Sequence, residues 1–491
     1  MSKSVAKNAL FNAVRTVSYM LFPLITYPYV TRTLLAENLG KVDFTTSLIS
    51  YFTLIAGLGI TSYATREGAA YRQDRKQISE FCSQVFTINV LSTLVSYALL
   101  ATLFFLWPKL QGYGTLMAIQ ALMVAGTTLG VEWIYTIHED YGFITIRTIA
   151  VQIVSAVLLF TLVKDPSDYL VYAAIIVFSN VGANVFNFIH ARKYVSIRLT
   201  THFDVWHHLL PMLVLFGNTI AVTIYVNTDV TLLGIFKTDF DVGIYGVAVR
   251  IYTIVKQLLN SLITVSIPRL SLYCANEQKE EYRSLLQSVA HGLTITVYPI
   301  LCILFLMSNY VVFIIGGEAF SDSNIPLRIL CFSSIPAVFA TFAAYTILLP
   351  NKREDFVLKS TIAGALINLV LNLIAIPLFG YVGAAITTGI AEATVFITAL
   401  RYSSSIIDLR KLLSSIKSPL LTAGVAIALM VCASVLLKQV FGFSVPGFFV
   451  TGLVLFAIYI TVLLVRKDAY VWRTISSISA RIGGSKERPS S

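Results

Sequence analysis

The sequence predicts an all-α polytopic membrane protein with about 14 transmembrane helices. Of its 491 residues, 56% are hydrophobic and only 12% are charged, whereas an ordinary soluble domain has roughly 25% charged residues. The mean hydropathy is +0.78. Apolar runs of about 20 residues, the length that crosses a bilayer as a helix, recur along the whole chain.

Each predicted helix is a mostly apolar run bounded by polar or charged turns. The predicted spans lie near 8–31, 42–65, 81–106, 114–137, 143–163, 168–190, 208–233, 243–266, 288–314, 325–349, 356–379, 381–401, 419–438 and 446–466. We expect the first span to be retained rather than cleaved as a signal peptide, because it is too long and lacks a small-residue cleavage site.

Lysine and arginine are unevenly distributed over the predicted loops. With the N terminus inside, about 26 of the 36 basic residues fall in inner loops and tails and about 7 in outer loops. Basic loops stay cytoplasmic, so both termini are predicted to be cytoplasmic. The net charge of +11 then fits contact with anionic lipid headgroups and argues against nucleic acid as a partner. The five cysteines form no CxxC pair, so no metal site is expected.

Two stretches of the chain show the same pattern. TRTLLAENLGKVDF (31–44) and TDVTLLGIFKTDFDVGIY (228–245) both run Thr-Leu-Leu, then a short charged loop, then a glycine before an apolar helix. A repeat of six helices in the same orientation predicts two lobes around a central cavity.

The repeat divides the chain into five predicted segments, which run from the first lobe to a basic tail. They are an N-lobe of six helices (1–192), a cytoplasmic linker (193–207), a C-lobe of six helices (208–402), two C-terminal helices (403–466) and a cytoplasmic tail (467–491).

Five charged side chains lie inside or at the edge of apolar runs: Arg15, Glu132, Asp229, Arg250 and Lys256. A charge at bilayer depth costs several kcal/mol unless it faces a partner or a water-filled cavity, so these residues mark a functional path. The cationic three suit an anionic cargo such as a diphosphate. Arginine is the better ligand, because its planar fork binds two oxygens.

In the first helix, Arg15 and Tyr19 share one face at helical spacing. Pro23 and Pro28 interrupt the backbone hydrogen bonds of this helix, which predicts a hinge beside a basic site. The alternative is that Arg15 reaches back to the cytoplasmic headgroups with its long side chain.

Glu132 and Arg147 lie at similar distances from the predicted turn near 138–141. Two antiparallel helices bring them to the same depth, so a structural ion pair is the leading interpretation. A gating role is the alternative.

In the seventh helix, Asn218, Tyr225 and Asp229 lie on one face. Asp229 is interpreted as a counter-charge to Arg250 or Lys256, as a group that couples transport to a proton or sodium gradient, or as a simple carboxylate at the outer interface.

The eighth helix carries a polar stripe at helical spacing. Gln257 and Asn260 follow Arg250 and Lys256 on this stripe and are predicted to contact the cargo with them. Small and hydroxyl-bearing residues also serve ordinary helix packing, but the two cations do not.

Three segments resemble the signature regions of one family. They are GVEWIYTIHEDYGFITIRT (130–148), YVNTDVTLLGIFKTDFDVGIY (225–245) and GALINLVLNLIAIPLFGYVGAAITTGIAE (364–392). They are similar to the oligosaccharide and polysaccharide flippases of the Wzx type, in the polysaccharide transporter branch of the MOP exporter superfamily. The resemblance extends over essentially the whole chain.

The resemblance implies a flippase of the bacterial plasma membrane. Such a protein moves a polyprenyl-diphosphate-linked oligosaccharide, the repeat unit of a surface polysaccharide, from the inner to the outer leaflet by alternating access. It needs no cofactor beyond a possible proton or sodium gradient. Its partners are the membrane lipids and the polymerase and glycosyltransferases of the same pathway. The two extra C-terminal helices are similar to the extra pair of helices in the lipid II flippase branch of the superfamily.

Three alternatives stay open at this point. A flippase for teichoic-acid or lipid II-type precursors would need the same charge set. A cation-coupled drug exporter of the same superfamily would need carboxylates and aromatic residues, whereas the charges here are mostly cationic. A membrane glycosyltransferase or polymerase would need catalytic clusters on sizeable outer loops, and the outer loops here are short. We therefore do not expect an enzyme.

Overall fold

The computed structural model describes residues 2–201, 205–441 and 444–466, and every regular element in these ranges is helical. The α-helices are α1 (Ser2–Gly57), α2 (Ile60–Gly68), α3 (Arg75–Leu106), α4 (Gly114–Gly130), α5 (Glu132–Ile137), α6 (Tyr141–Leu162), α7 (Tyr169–Val181), α8 (Asn184–His190), α9 (Val205–Phe236), α10 (Asp239–Thr264), α11 (Ile267–Ala275), α12 (Lys279–Leu306), α13 (Ser308–Gly316), α14 (Asn324–Phe342), α15 (Glu354–Ser403), α16 (Leu409–Ser415), α17 (Lys417–Phe441) and α18 (Val445–Val465). The predicted tail 467–491 lies outside the described residues.

Twelve helices in the described ranges are long and apolar enough to cross a membrane. This confirms the all-α polytopic class. Two of these segments are much longer than the others. Val14–Tyr71, which contains most of α1 and all of α2, has 58 residues, and Glu354–Ser403, which is α15, has 50. About 20 residues suffice for one crossing. Their backbones leave the helical region at Leu35 (φ 62°) and at Gly380 (φ 55°). Each is therefore long enough for two spans, and the count of fourteen stays a prediction.

The prolines of α1 lie inside a continuous stretch of helix. The one residue of α1 with non-helical backbone angles is Leu35, after both Pro23 and Pro28. The Thr31 hydroxyl donates hydrogen bonds to carbonyls near the break, including that of Tyr27. The predicted hinge at the prolines stays a prediction, and the visible break lies farther along the helix.

The chain forms two compact units. The first contains residues 1–246, 315–320 and 369–384. One of its cores brings together buried side chains from α2, α3 and α5, among them Tyr63, Phe81, Trp133 and Tyr135. This core anchors the short helix α5, whose first residue is Glu132.

Of the described residues, the second unit contains 247–314, 321–368, 385–441 and 444–466. Within it, α17 and α18 pack against each other and against α12. Buried Met430 of α17 and Leu455 of α18 share a core with Ile295 of α12, whose carbonyl accepts a hydrogen bond from the Tyr459 hydroxyl. The two predicted C-terminal helices are thus integrated into this unit. The predicted lobe boundaries stay a prediction.

Candidate functional site

Arg15 and Glu132 form an ion pair within the first unit. Arg15 Nη1 lies 2.7 Å from Glu132 Oε1, although the two groups are not aligned as a hydrogen bond. Their side chains are 24% and 36% exposed, so both remain accessible. The guanidinium carbon of Arg15 also lies 5.7 Å from the centre of the Tyr19 ring, within the range of a cation–π contact. A charge in an apolar helix thus meets both a carboxylate and an aromatic face.

A backbone break places Glu132 in this position. Val131 has φ 35° and ψ 30°, in the left-handed region that a β-branched residue rarely adopts. The break ends α4 and begins α5, which makes Glu132 the first residue of a helix. The partial positive charge at a helix N-terminus favours a carboxylate there. Val131 itself is only 3% exposed, so burial holds the strained residue in place.

In this structure Glu132 pairs with Arg15, and the predicted ion pair between Glu132 and Arg147 stays a prediction. Arg147 lies on α6, which packs on α1: the Thr145 hydroxyl donates to the Phe11 carbonyl over 3.0 Å. Sequence distance from the turn gave the depth of Arg147 but not which neighbouring helix faces Glu132. In the part of the chain that the structure describes, Nε and Nη1 of Arg147 are buried without a hydrogen-bond partner.

Lys256 forms an ion pair in the second unit. Its Nζ lies 2.5 Å from Glu392 Oε1, and the Tyr252 hydroxyl donates to the same oxygen over 2.7 Å. Glu392 is only 5% exposed, whereas Lys256 is 24% exposed. Sequence reasoning missed Glu392. The signal that could have found it is the one used for the other charges, namely a carboxylate inside an apolar run.

Asp229 is buried in the first unit and is only 6% exposed. The Tyr245 hydroxyl and the Asn372 side-chain amide each donate a hydrogen bond to it over 2.6 Å. A carboxylate so deeply buried does not fit the interpretation of a simple group at the outer interface. Asn372, which sequence reasoning did not select, lies in the apolar run that carried the third resembling segment.

For the remaining candidate residues the structure gives mainly the exposure of the side chains. Arg250 and Gln257 of α10 are exposed, and Tyr225 of α9 is half-buried. Asn260 has a buried side-chain oxygen without a hydrogen-bond partner. The side chain of Asn218 lies outside the described part of the chain. The predicted diphosphate clamp of Arg15, Arg250 and Lys256 stays a prediction, and two of its three cations carry carboxylate partners in this structure.

No metal centre accompanies these pairs in the described ranges. No three His, Cys, Asp or Glu side chains there come close enough to hold a metal ion. What the arrangement offers is a set of cations inside apolar helices, two of which, Arg15 and Lys256, have a carboxylate partner.

The helices and the buried charges define a polytopic membrane transporter. Residues 5–274, more than half of the chain, match the family described as polysaccharide biosynthesis protein. The chain belongs to this family, and with it to the Wzx-type flippases of the MOP exporter superfamily.

Two relatives show what the chain is similar to. A provisionally named O-antigen transporter of Escherichia coli K12 is 24% identical over 398 residues, which cover 80% of this chain and 95% of that protein. A provisionally named low-salt glycan biosynthesis flippase of Haloferax volcanii is 25% identical over 201 residues, covering 40% of this chain and 42% of that protein. Both relatives are named as transport proteins rather than as enzymes.

Solved structures confirm the fold. The lipid II flippase MurJ, in an inward closed conformation, aligns with a TM-score of 0.73 and 14% identity, covering 95% of this chain and all of that one. An inward-facing multidrug transporter of the MATE family aligns with a TM-score of 0.53 and 12% identity, covering 82% of this chain and 99% of that one. At these identities the likeness concerns the fold alone.

Proposed function

We propose that the protein is a flippase that moves a polyprenyl-diphosphate-linked oligosaccharide from the inner to the outer leaflet of the bacterial plasma membrane by alternating access. The observation that carries the proposal is Arg15, an accessible arginine held inside an apolar helix of a chain that belongs to the polysaccharide flippase family. The function also fits the short loops that the sequence predicts between the helices, because the cargo is handled within the bilayer.

The chemistry of the cargo matches the cationic residues. A diphosphate in a low-dielectric site needs fixed positive charge, because an uncompensated anion there is far more costly than in water. Arg15 offers a planar fork of N–H groups, and Tyr19 shields it on one side. Arg250, which is exposed on α10, offers a second fork.

The two carboxylate partners differ in how easily a diphosphate could displace them. Glu132 is 36% exposed and has no aligned hydrogen bond to Arg15, so an incoming diphosphate can displace it. Glu392 is almost fully buried and accepts from both Lys256 and Tyr252. We therefore place the diphosphate on Arg15 and give Lys256 a mainly structural role.

Asp229 is our candidate for coupling to a proton or sodium gradient. It is a buried carboxylate, and its oxygens accept hydrogen bonds from Tyr245 and Asn372. Protonation of the carboxylate, or a cation bound beside it, would change which of these bonds it accepts. That change would reach α9, α10 and α15 together, because one of these three residues lies on each helix.

The proposal also covers the partner enzymes and the identity of the cargo. Both termini would face the cytoplasm, where glycosyltransferases build the oligosaccharide, and a polymerase would use the flipped product outside. A lipid II-type precursor is the second candidate, because it carries the same diphosphate linkage and because the fold aligns with MurJ at a TM-score of 0.73.

Deletion of the gene in its own host tests the proposal. We expect loss of the surface polysaccharide together with accumulation of the lipid-linked repeat unit on the cytoplasmic side. A plasmid copy should reverse both effects. Normal polysaccharide display in the deletion strain, in the absence of a second flippase, would contradict the proposal.

A further inference from the structure

Arg147 is a half-buried cation, and two of its donor atoms are buried without a hydrogen-bond partner among the described residues. These two atoms are Nε and Nη1. A buried donor without a partner costs about 1–3 kcal/mol, and more when the group is charged. A buried polar group of this kind needs a physical explanation, and a partner supplied in another state of the protein is one.

Glu132 is the carboxylate whose charge acts on Arg147. Electrostatically, Glu132 acts on Arg147 more strongly than any other ionised side chain, and Arg15 also acts on Arg147. The helices that carry the two arginines are in contact, through Thr145 of α6 and Phe11 of α1. The charge of one carboxylate therefore acts on two guanidinium groups, and it pairs with only one of them here.

The position of Glu132 permits a short movement. It begins a helix of six residues, next to the strained backbone of Val131. It is 36% exposed, and its contact with Arg15 lacks hydrogen-bond alignment. By contrast, Glu392 in the second unit is 5% exposed and accepts two hydrogen bonds, as expected of a fixed partner.

We infer that Glu132 is a mobile counter-ion that pairs with Arg15 in the empty protein and with Arg147 when the diphosphate of the cargo occupies Arg15. Arg147 is then a positioning residue: it does not touch the cargo but draws the competing carboxylate away from the arginine that does. When the cargo leaves, Glu132 returns to Arg15. The inference rests on the proposed function, because the displacing anion is the diphosphate of the flipped lipid.

The exchange explains why three charges with a net charge of +1 are found together inside apolar helices. In the empty state the carboxylate offsets the guanidinium of Arg15, so an empty site does not hold a bare cation. In the loaded state both arginines have an anionic partner, since the diphosphate takes one and Glu132 takes the other. Release is then helped by a competitor that is already in place.

A double-mutant cycle tests the inference, with undecaprenyl diphosphate as the probe and the purified full chain in lipid nanodiscs. R147Q alone should weaken binding by about five-fold or more, because Glu132 then stays on Arg15. E132Q alone should strengthen binding, because Arg15 is uncovered. The double variant E132Q/R147Q should bind as E132Q does, because no carboxylate remains to be moved. R147K, which keeps the charge, should recover most of the affinity lost in R147Q.

The outcomes separate the inference from the proposed function. If R147Q weakens binding equally with and without Glu132, Arg147 contacts the cargo directly or acts on the fold, and the inference is overturned. It is also overturned if E132Q weakens binding, a result that needs no Arg147 variant to fold. If the unaltered protein does not bind the probe at all, the proposed function itself fails. The exposed pair of Arg72 and Glu139, also 2.7 Å apart in the first unit, is the control, and its cycle should leave binding unchanged.

Discussion

Lys256 and Glu392 form an ion pair whose carboxylate is almost fully buried and also accepts a hydrogen bond from Tyr252. The lysine lies on α10 and the glutamate near the end of α15, so the pair joins two helices that are far apart in the sequence but close in the second unit. The arrangement satisfies a carboxylate that would otherwise be an isolated charge among apolar side chains. We therefore expect the pair to hold the second unit together.

Removal of one partner should destabilise the protein. K256A leaves the buried Glu392 without its cation, and loss of one member of a buried pair costs about 3 kcal/mol. The double variant K256M/E392Q should be more stable than K256A, because no unpaired charge remains. Thermal unfolding in detergent measures both effects. K359Q, at the exposed pair with Asp355, is the control and should change stability by less than about 1 kcal/mol. Equal stability of K256A and the unaltered protein would contradict this role.

Arg15 and Arg250 should be required for transport. R15A and R250A each remove a cationic N–H fork from a helix in the membrane, so each should abolish display of the surface glycan while the protein level stays normal. R15K keeps the charge but loses the fork, and we expect partial activity. Glycan display and an immunoblot of the membrane fraction measure the two quantities. Unchanged display in both alanine variants would refute the assignment of these residues to the cargo.

Asp229 should govern the response to an ion gradient. D229N keeps the shape of the side chain but removes its charge, so transport should no longer respond to an imposed proton or sodium gradient. Y245F removes one hydrogen bond, worth about 1 kcal/mol, and should only reduce the response. Transport into proteoliposomes with and without each gradient distinguishes the two ions. A D229N protein that still responds to a gradient would remove Asp229 from the coupling mechanism.

Gly380 should not tolerate a side chain. Its φ of 55° and ψ of −136° lie in a region that is essentially confined to glycine. An added Cβ would lie 3.4 Å from a side-chain oxygen of Asp241, an ordinary contact, so the cost comes from the backbone conformation. G380A should therefore lower the free energy of unfolding by about 1–3 kcal/mol. Gly424 lies inside α17 with nothing within 4 Å of an added Cβ, so G424A is the matched control and should be neutral or slightly stabilising. Equal stability of the two variants would contradict the strain at Gly380.

The sequence was sufficient for the fold class and for the charged residues, but not for their pairing. Composition and apolar runs predict membrane helices because the bilayer imposes length and polarity on every span. A charged residue inside an apolar run can be identified in the sequence for the same reason, and this predicts a role for Arg15, Glu132 and Lys256. Their partners depend on which helices face each other, and this cannot be read from spacing along one helix. Glu132 therefore met Arg15 rather than Arg147, and Glu392 was overlooked as the partner of Lys256.

The positions of the prolines do not predict the backbone breaks either. Pro23 and Pro28 marked α1 as a place for a hinge, yet the helix leaves its regular path at Leu35. Val131 breaks the path between α4 and α5 without any proline or glycine at the position itself. Such conformations are imposed by packing of the surrounding helices, so the conformational preference of the residue itself does not predict them.

The most direct test of the central claim compares two lipids that differ only in the linkage of the sugar. The same oligosaccharide is attached to a polyprenol through a diphosphate or through a monophosphate, and its movement across proteoliposomes is followed with a membrane-impermeant reagent that modifies the sugar. The account predicts rapid movement of the diphosphate lipid, slower movement of the monophosphate lipid, and loss of that preference in R15A. Equal rates for the two lipids in the unaltered protein, or an R15A protein that keeps the preference, would contradict it.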